Sequence, residues 1–460
     1  MDTPKKHPSR RKFIKQSATA AAGVSLGMSA FSAASYAKVQ GANDRIQMGF
    51  IGIGNRGTKL LHRFMANDDV EVAALCDVYE PYLKRDRNKV DQRLLQELGG
   101  RIPEMGEDFS RKVGTFTDFR NLLDMKKVDA VCIATPDHWH AIQTILAIDA
   151  GKDVYVEKPL TITVEEGRKM VQAQQNSEQV VAVGLNRRGS SVYQELATLI
   201  PDGTIGSVSM AKAGRVSNMY PNGIGNAEPT EPPAGFDWDM WVGPREFRKY
   251  QYNIAPYKFR WWKDYSSQMG NWGVHYMDVI RWLMDEKAPS VITAHGSKNI
   301  LSDDRTIPDT MEVTFEFESG GMISFGVYEA SSGRVVHGGE VALYGTKGNL
   351  LADEDGYEIT PSDDGQFQDW EDPIQTISKE IEDEDSTSNL IRNFLDCVKS
   401  REEPLCSLED GHRSTTFAHL ANISLEAGQI RWDPEKERIT NNEKANDLLH
   451  YQYRNKWDII

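Results

Sequence analysis

The chain has only four cysteines in 460 residues, the first at Cys76, and their spacing matches neither a disulfide framework nor a cysteine-based metal site. Cys76 and Cys132 fall in apolar runs and read as small buried hydrophobes, while Cys397 and Cys406 can pair in an oxidising compartment. Basic charge is in short supply. Against 68 Asp and Glu there are 53 Lys and Arg, a formal net charge of −15, so a phosphate backbone is repelled overall and nucleic acid is not an expected partner. Long apolar runs are also missing: the Ala/Gly/Ser-rich stretch Ala18–Ala34 gains too little on transfer to lipid to be a stable membrane anchor. There is no internal repeat.

What is present is enough for packed cores: 39% hydrophobic residues, with 10 Trp, 16 Phe and 16 Tyr. The length exceeds what one core supports, which predicts two domains plus accessory segments. At the N-terminus, Ser9-Arg10-Arg11-Lys12-Phe13-Ile14-Lys15 precedes the weak apolar stretch and a small-residue exit, Ser35-Tyr36-Ala37. That order is a twin-arginine export signal over residues 1–37. It implies the twin-arginine translocase as a transient partner and a soluble, periplasmic protein exported already folded.

From Ile46 to about Gly184 short apolar runs alternate with helix-length segments: Ile46–Ile53, Val70–Cys76, Val128–Thr135, Val154–Val156 and Val180–Gly184. The runs are continuous rather than alternating, as in strands covered on both faces, so residues 43–185 are expected to form a doubly wound parallel α/β domain. After about Gly206 the texture changes to period-two strands with glycine turns, as in Met311–Phe317, Gly320-Gly321 and Met322–Tyr328. Residues 186–385 are therefore expected to form an α+β domain with a largely antiparallel open sheet. Within it, segment 220–265 is rich in Pro, Gly, Asn and Trp, and suits either a lid or a wrapping arm. The acidic run Lys379–Asp385 reads as a solvated connection, and residues 386–460 as C-terminal helices and a tail packing back on the core.

Four motifs carry chemistry. Gly52-Ile53-Gly54-Asn55-Arg56-Gly57 joins the first strand to a helix, where glycines allow a tight turn and let a pyrophosphate reach backbone N–H groups. The next strand ends at Asp77, 20 residues beyond Gly57, where a carboxylate accepts from ribose hydroxyls and repels a 2′-phosphate. That pairing is the Rossmann fingerprint and favours NAD over NADP. Thr135-Pro136-Asp137-His138-Trp139-His140 lies at the ligand-binding end of another strand. Two histidines with no further ligand cluster make a metal site a poor reading; His138 and His140 are either cleft-lining or simply packed. Glu157-Lys158-Pro159 ends a further strand, whose alternation sends Glu157 and Lys158 to opposite faces. A partly desolvated Lys beside a nicotinamide has its pKa lowered, which suits proton transfer from a hydroxyl losing hydride. Finally, His275 lies in Gly270-Asn271-Trp272-Gly273-Val274-His275, before the apolar helix Tyr276–Leu283, as either an active-site or a buried helix-start histidine.

In order and approximate spacing these four motifs resemble the Gfo/Idh/MocA oxidoreductases, typified by glucose-fructose oxidoreductase and inositol dehydrogenase. The resemblance runs from about Arg45 through the C-terminal region. It implies Lys158 as the catalytic lysine and His275 as the active-site histidine. Gly52, Ile53, Gly54, Asn55, Arg56, Gly57, Asp77, Thr135, Pro136, His140, Glu157 and Lys158 would then bind the cofactor. It also implies a homo-oligomer, dimer or tetramer, formed through the open face of the second sheet. Where many members carry Asp four residues before the histidine, this chain has Asn271, which orients a hydroxyl but takes no proton. Asn271, Tyr257, Trp261, Trp262 and Arg187 are the substrate-side candidates, the rings because they stack on sugar C–H faces. Arg187 with Arg188 suits a surface basic pair equally well.

The expected activity is NAD-dependent hydride transfer at a secondary alcohol of a sugar, sugar derivative or cyclitol. Two alternatives stay open. One is an NAD-dependent glycosidase or epimerase that oxidises transiently and recycles its cofactor, favoured by a compartment poor in free NAD. The other is a non-catalytic sugar-binding protein on the same scaffold.

Overall fold

The computed structural model describes residues 45–460 except 107–108, 110–112, 363–364, 366–372, 455–456 and 458–460. The export signal read at residues 1–37 lies outside them. Apolar runs near the front of the chain become strands β1 (Ile46–Ile51), β2 (Val70–Cys76), β3 (Gly114–Phe116), β4 (Ala130–Ile133), β5 (Asp153–Val156) and β6 (Val181–Val183). They form one six-stranded sheet in the order β3-β2-β1-β4-β5-β6, every pairing parallel among those registered, for example Met48 opposite Ala130 and Ile51 opposite Ile133. β2 and β4 to β6 are buried throughout, because helices on both faces leave no solvent-facing row. The short β3 was not foreseen, having only Thr115 and Phe116 as strand-forming residues.

Helices α1 (Asn55–Met65), α2 (His140–Asp149) and α3 (Val164–Gln175) connect these strands, and α4 (Ser191–Leu199) leads out of the sheet. α3 has the sequence logic of a capped helix: the Thr163 hydroxyl accepts from the Glu166 N–H, and Glu165 and Glu166 occupy its first turn. α1 differs, in that Gly54 at its N-cap offers no side chain and its first turn carries no acid.

The second sheet has ten strands, β7 (Val208–Val216), β8 (Val291–Ser297), β9 (Thr310–Glu316), β10 (Met322–Tyr328), β11 (Val341–Gly345), β12 (Gly348–Ala352), β13 (Gly356–Pro361), β14 (Ile377–Glu380), β15 (Ile430–Asp433) and β16 (Arg438–Ile439). Its order is β14-β13-β12-β11-β7-β10-β9-β8-β15-β16, with β7 and β10 parallel and the other pairs antiparallel. Alternation in β9 buries Met311, Val313 and Phe315 and leaves Glu312 and Thr314 on the other face. The buried face packs on α5 (Val274–Leu283) and α7 (Leu408–Ala427) through Met277, Ile280, Phe417 and Leu420.

Two sequence expectations are corrected here. Cys397 and Cys406 are both buried and free, with no disulfide between them. The acidic run Lys379–Asp385 is not a bare connection: its start pairs in β14, the Ser191 N–H donates to Glu384, and Asp385 caps α6 (Ser386–Ser400) while accepting from Arg63 on α1. Segment 220–265 wraps its own nucleotide domain, with Phe236 against Tyr79 and Trp241 against His138. The tail also returns there, where Trp457 packs between Phe119 and Trp139. Among the described residues no helix is long and apolar enough to cross a membrane.

Candidate active site

The glycine turn follows from two steric facts. Gly52 has φ +80°, where an L side chain is strained, and a Cβ at Gly57 would lie 1.9 Å from the Gly52 carbonyl oxygen. The backbone therefore closes on itself and the N-terminus of α1 opens onto a cleft lined by Gly52, Gly54, Asn55, Arg56 and Asp77. Free N–H groups at an uncapped helix start make an anion site. Asp77 completes that end. Its carboxylate accepts from the N–H groups of Ile53 and Tyr79, both at 2.9 Å, and burial pushes it up to about 6 despite those two bonds. A cradle with no room for a Cβ, an unused helix terminus and a carboxylate beside them fit a dinucleotide's pyrophosphate and ribose. Ile53 and Gly57 do not line the cleft; Ile53 holds Asp77, and Gly57 makes the turn possible.

Asn55, Arg56, Thr135, Tyr257 and Arg260 are shared with a second chamber of about 490 Å³, so the two adjoin. Lys158 and His275 both line this chamber, together with Glu157, Pro159, Asn271 and Trp261. Lys158, at the end of β5, is half-buried. Its Nζ donates to the Asn271 carbonyl at 2.7 Å, with the Asn271 side-chain oxygen at 3.4 Å. Burial, aided by the Arg260 and Arg56 cations and opposed by Glu157 and Asp137, lowers this amine to about 8. Asn271 lies in the π-helical segment Met269–Gly273, just before α5. The asparagine thus contributes backbone as well as side chain.

His275 is placed by the first turn of α5. It is 8% exposed, its Nδ1 is buried with no hydrogen-bond partner, and burial reinforced by the Arg187 and Lys158 cations drives its pKa well below the usual histidine range. The imidazole is neutral and lines the chamber. Glu157, which lines the same chamber as Lys158, grips Arg56 at 2.7 Å and so fixes the first turn of α1 against the strand end.

The remaining candidates divide. Thr135 and Pro136 line the cleft, with Thr135 donating to Gln143. His140 lines neither chamber: each ring nitrogen faces a carbonyl oxygen, Pro159 at 2.8 Å and Thr135 at 2.9 Å, which ties the two strand ends together. His138 is packed under Trp241, and burial lowers it to about 3. Among the described residues no group of three His, Cys, Asp or Glu is arranged to hold a metal. On the substrate side Asn271, Tyr257 and Trp261 line the chamber, but Arg187 and Trp262 do not. Arg187 is buried in an ion pair with Glu340 and lies over the Tyr276 ring, so it braces α5 instead of binding substrate. Trp262 is buried, donates to the Asn253 carbonyl and is covered by Arg248. Sequence reasoning missed Glu329, Arg215, Asn186 and Thr387, which line the chamber from four places far apart in the chain. No local motif marks them.

Two comparisons of sequence and one of structure bear on this geometry. The sequence model of the oxidoreductase family with an NAD-binding Rossmann fold matches residues 46–185, and that of the family's C-terminal alpha/beta domain matches residues 204–459. A glycosyl hydrolase family 109 protein of Shewanella baltica is 30% identical over 182 residues, 37% of this chain and 37% of that protein's own length. A myo-inositol 2-dehydrogenase of Thermotoga maritima is 24% identical over 391 residues, 83% of this chain and 96% of the relative. The fold is that of the WlbA dehydrogenase from Bordetella pertussis, solved with NADH and UDP-GlcNAcA, with a TM-score of 0.58 and 17% identity over 85% of this chain and 99% of the other. With both of its domain models matched across 46–185 and 204–459, the chain belongs to the Gfo/Idh/MocA oxidoreductase family and carries that family's NAD-binding domain.

Proposed function

We propose that the protein transfers hydride between NAD and a secondary alcohol carbon of a sugar, sugar derivative or cyclitol. The observation that carries this reading is one partly buried amine: Lys158, lowered to about 8 and fixed on the Asn271 carbonyl, in a chamber adjoining the glycine turn. NAD, when bound, accepts or returns the hydride. Lys158 Nζ takes the hydroxyl proton as the carbon loses hydride, and gives it back in reduction. His275, neutral and lining the same chamber, hydrogen-bonds the reacting oxygen and assists the same transfer. Asn271 holds the amine in place, and Trp261 and Tyr257 offer ring faces to sugar C–H groups.

The test is a screen of hexoses, inositols and their derivatives with NAD, followed by NADH absorbance. Lys158→Ala should cut turnover by about 10²- to 10⁴-fold, the usual value of a positioned proton-transfer group, while NADH affinity is retained. Turnover unchanged in Lys158→Ala would overturn the reading.

A second reading is supported by the glycosyl hydrolase family 109 relative, 30% identical over 37% of this chain. There the hydride is removed, an adjacent C–H bond becomes acidic enough to break, and the hydride returns, so a glycoside is cleaved or epimerised with no net NADH. Product analysis of a glycoside separates the two. Export to the periplasm by the signal at Ser9–Lys15, and self-association through the second sheet's face bearing Thr314 and Ser324, belong to the same proposal. Cell fractionation with Arg10→Lys plus Arg11→Lys tests the first, and light scattering the second.

A further inference from the structure

Glu329 follows β10 directly and takes no part in the proton transfer described above. It is 3% exposed, yet it lines the chamber that holds Lys158 and His275. Trp261 Nε1 donates to both of its oxygens, at 3.0 and 2.8 Å, and Arg305 donates to Oε2 at 2.7 Å. Arg305 is fully buried and its guanidinium also clasps both oxygens of Asp303. One cation therefore serves two carboxylates.

Such an arrangement is a poor choice for stability alone, since an apolar trio of the same volume holds a core together at least as well. Buried acids facing a cleft are arranged for ligands. Asp303 is fully engaged, accepting from the Ile224 and Arg305 N–H groups as well as the guanidinium. Glu329 is not. Oε1 has one donor where a carboxylate oxygen accepts two, and the residue lines the chamber. Burial, over the Arg305 and Trp261 contacts, pushes it up to about 7, the mark of a carboxylate short of donors. The indole that holds it is the one already placed to stack on a sugar. Across the same chamber the Arg215 guanidinium covers the Trp272 ring at 3.8 Å.

We propose that Glu329 is a substrate-binding residue, its carboxylate accepting a hydroxyl of the polyol while the Trp261 ring packs beside it. The inference rests on the polyol reading and names a specificity residue within it. A carboxylate held by a buried arginine keeps one geometry, so it reads the position of a hydroxyl and not merely its presence.

The test is calorimetric titration of the full-length, NAD-loaded protein with hexoses, inositols and their monodeoxy analogues. The parent should lose about 10- to 100-fold in affinity for one deoxy analogue, the range of a hydrogen bond to a charged group. Glu329→Gln should bind the complete polyol that much more weakly and no longer distinguish that analogue. Its KM should rise while kcat and NADH affinity change by less than about threefold. Trp261→Phe, which keeps the carboxylate and removes its indole donor, should show a smaller loss at the same hydroxyl and covers the case in which Glu329→Gln does not fold. Variants that discriminate like the parent, or that weaken every polyol and NADH equally, overturn the inference. A parent that binds polyols with the stated profile but never reduces NAD sinks the hydride reading and leaves Glu329 standing.

Discussion

The two halves of the cleft are built by different means. Around the glycine turn the working groups are backbone: N–H groups at the start of α1, exposed because Gly54 brings no cap, with Asp77 as the one decisive side chain. Around Lys158 the working groups are side chains drawn from β5, the π-turn Met269–Gly273, α5 and the residue after β10. A site made of backbone tolerates change poorly but needs only a short contiguous motif. One made of side chains spreads over nearly the whole chain, and its specificity can change one residue at a time.

That contrast can be broken most forcefully at Gly57. Adding a methyl there drives a carbon onto the Gly52 carbonyl oxygen, 1.9 Å away, so the turn must open. Gly57→Ala should weaken NADH binding by about 100-fold and lower Tm by about 5 °C or more. Fluorescence titration and thermal unfolding check both. A variant that binds NADH normally would show that the backbone turn is not the cofactor's seat.

A sharper view of the side-chain half comes from pH. Lys158 must be neutral to accept a proton, and its amine titrates near 8. Polyol oxidation should therefore rise about tenfold per pH unit below that value and level off above it, while reduction, which needs the protonated amine, should be level below it and fall about tenfold per pH unit above it. Initial rates in both directions between pH 6 and 10 measure this. An oxidation rate flat across that range would remove Lys158 from the chemistry.

Smaller again is the cofactor preference set at Asp77. A carboxylate held by two backbone N–H groups repels a 2′-phosphate, so Asp77→Ser should raise the ratio of NADPH to NADH affinity by about 10-fold or more. Competitive binding of the two nucleotides gives the ratio directly. Least of all is expected from reductant. With Cys397 and Cys406 free and buried, dithiothreitol should shift Tm by less than about 1 °C.

The same contrast explains what could be read from the sequence. Gly52, Gly54 and Asp77 announce themselves because a tight glycine turn and a strand-end acid at that fixed separation seldom coincide outside a dinucleotide-binding unit. β2 could be bounded at Val70 and Cys76 because a strand covered on both faces is apolar from end to end. Lys158 and His275 were legible through motifs at strand and helix ends. Arg187 and Trp262 misled for one reason: their residue types suit sugar binding, yet tertiary packing gave one to Glu340 and the other to the Asn253 carbonyl. Glu329 was illegible because its meaning comes from Arg305 and Trp261, brought to it only by the fold.

The most direct test of the central claim is amine rescue of Lys158→Ala. If the missing group is the proton acceptor, methylamine and ethylamine in the buffer should restore polyol oxidation in proportion to their free-base concentration, with NADH affinity already intact. If the variant binds NADH and polyol as the parent does but no amine restores its turnover, the lysine is not the proton acceptor and the account fails.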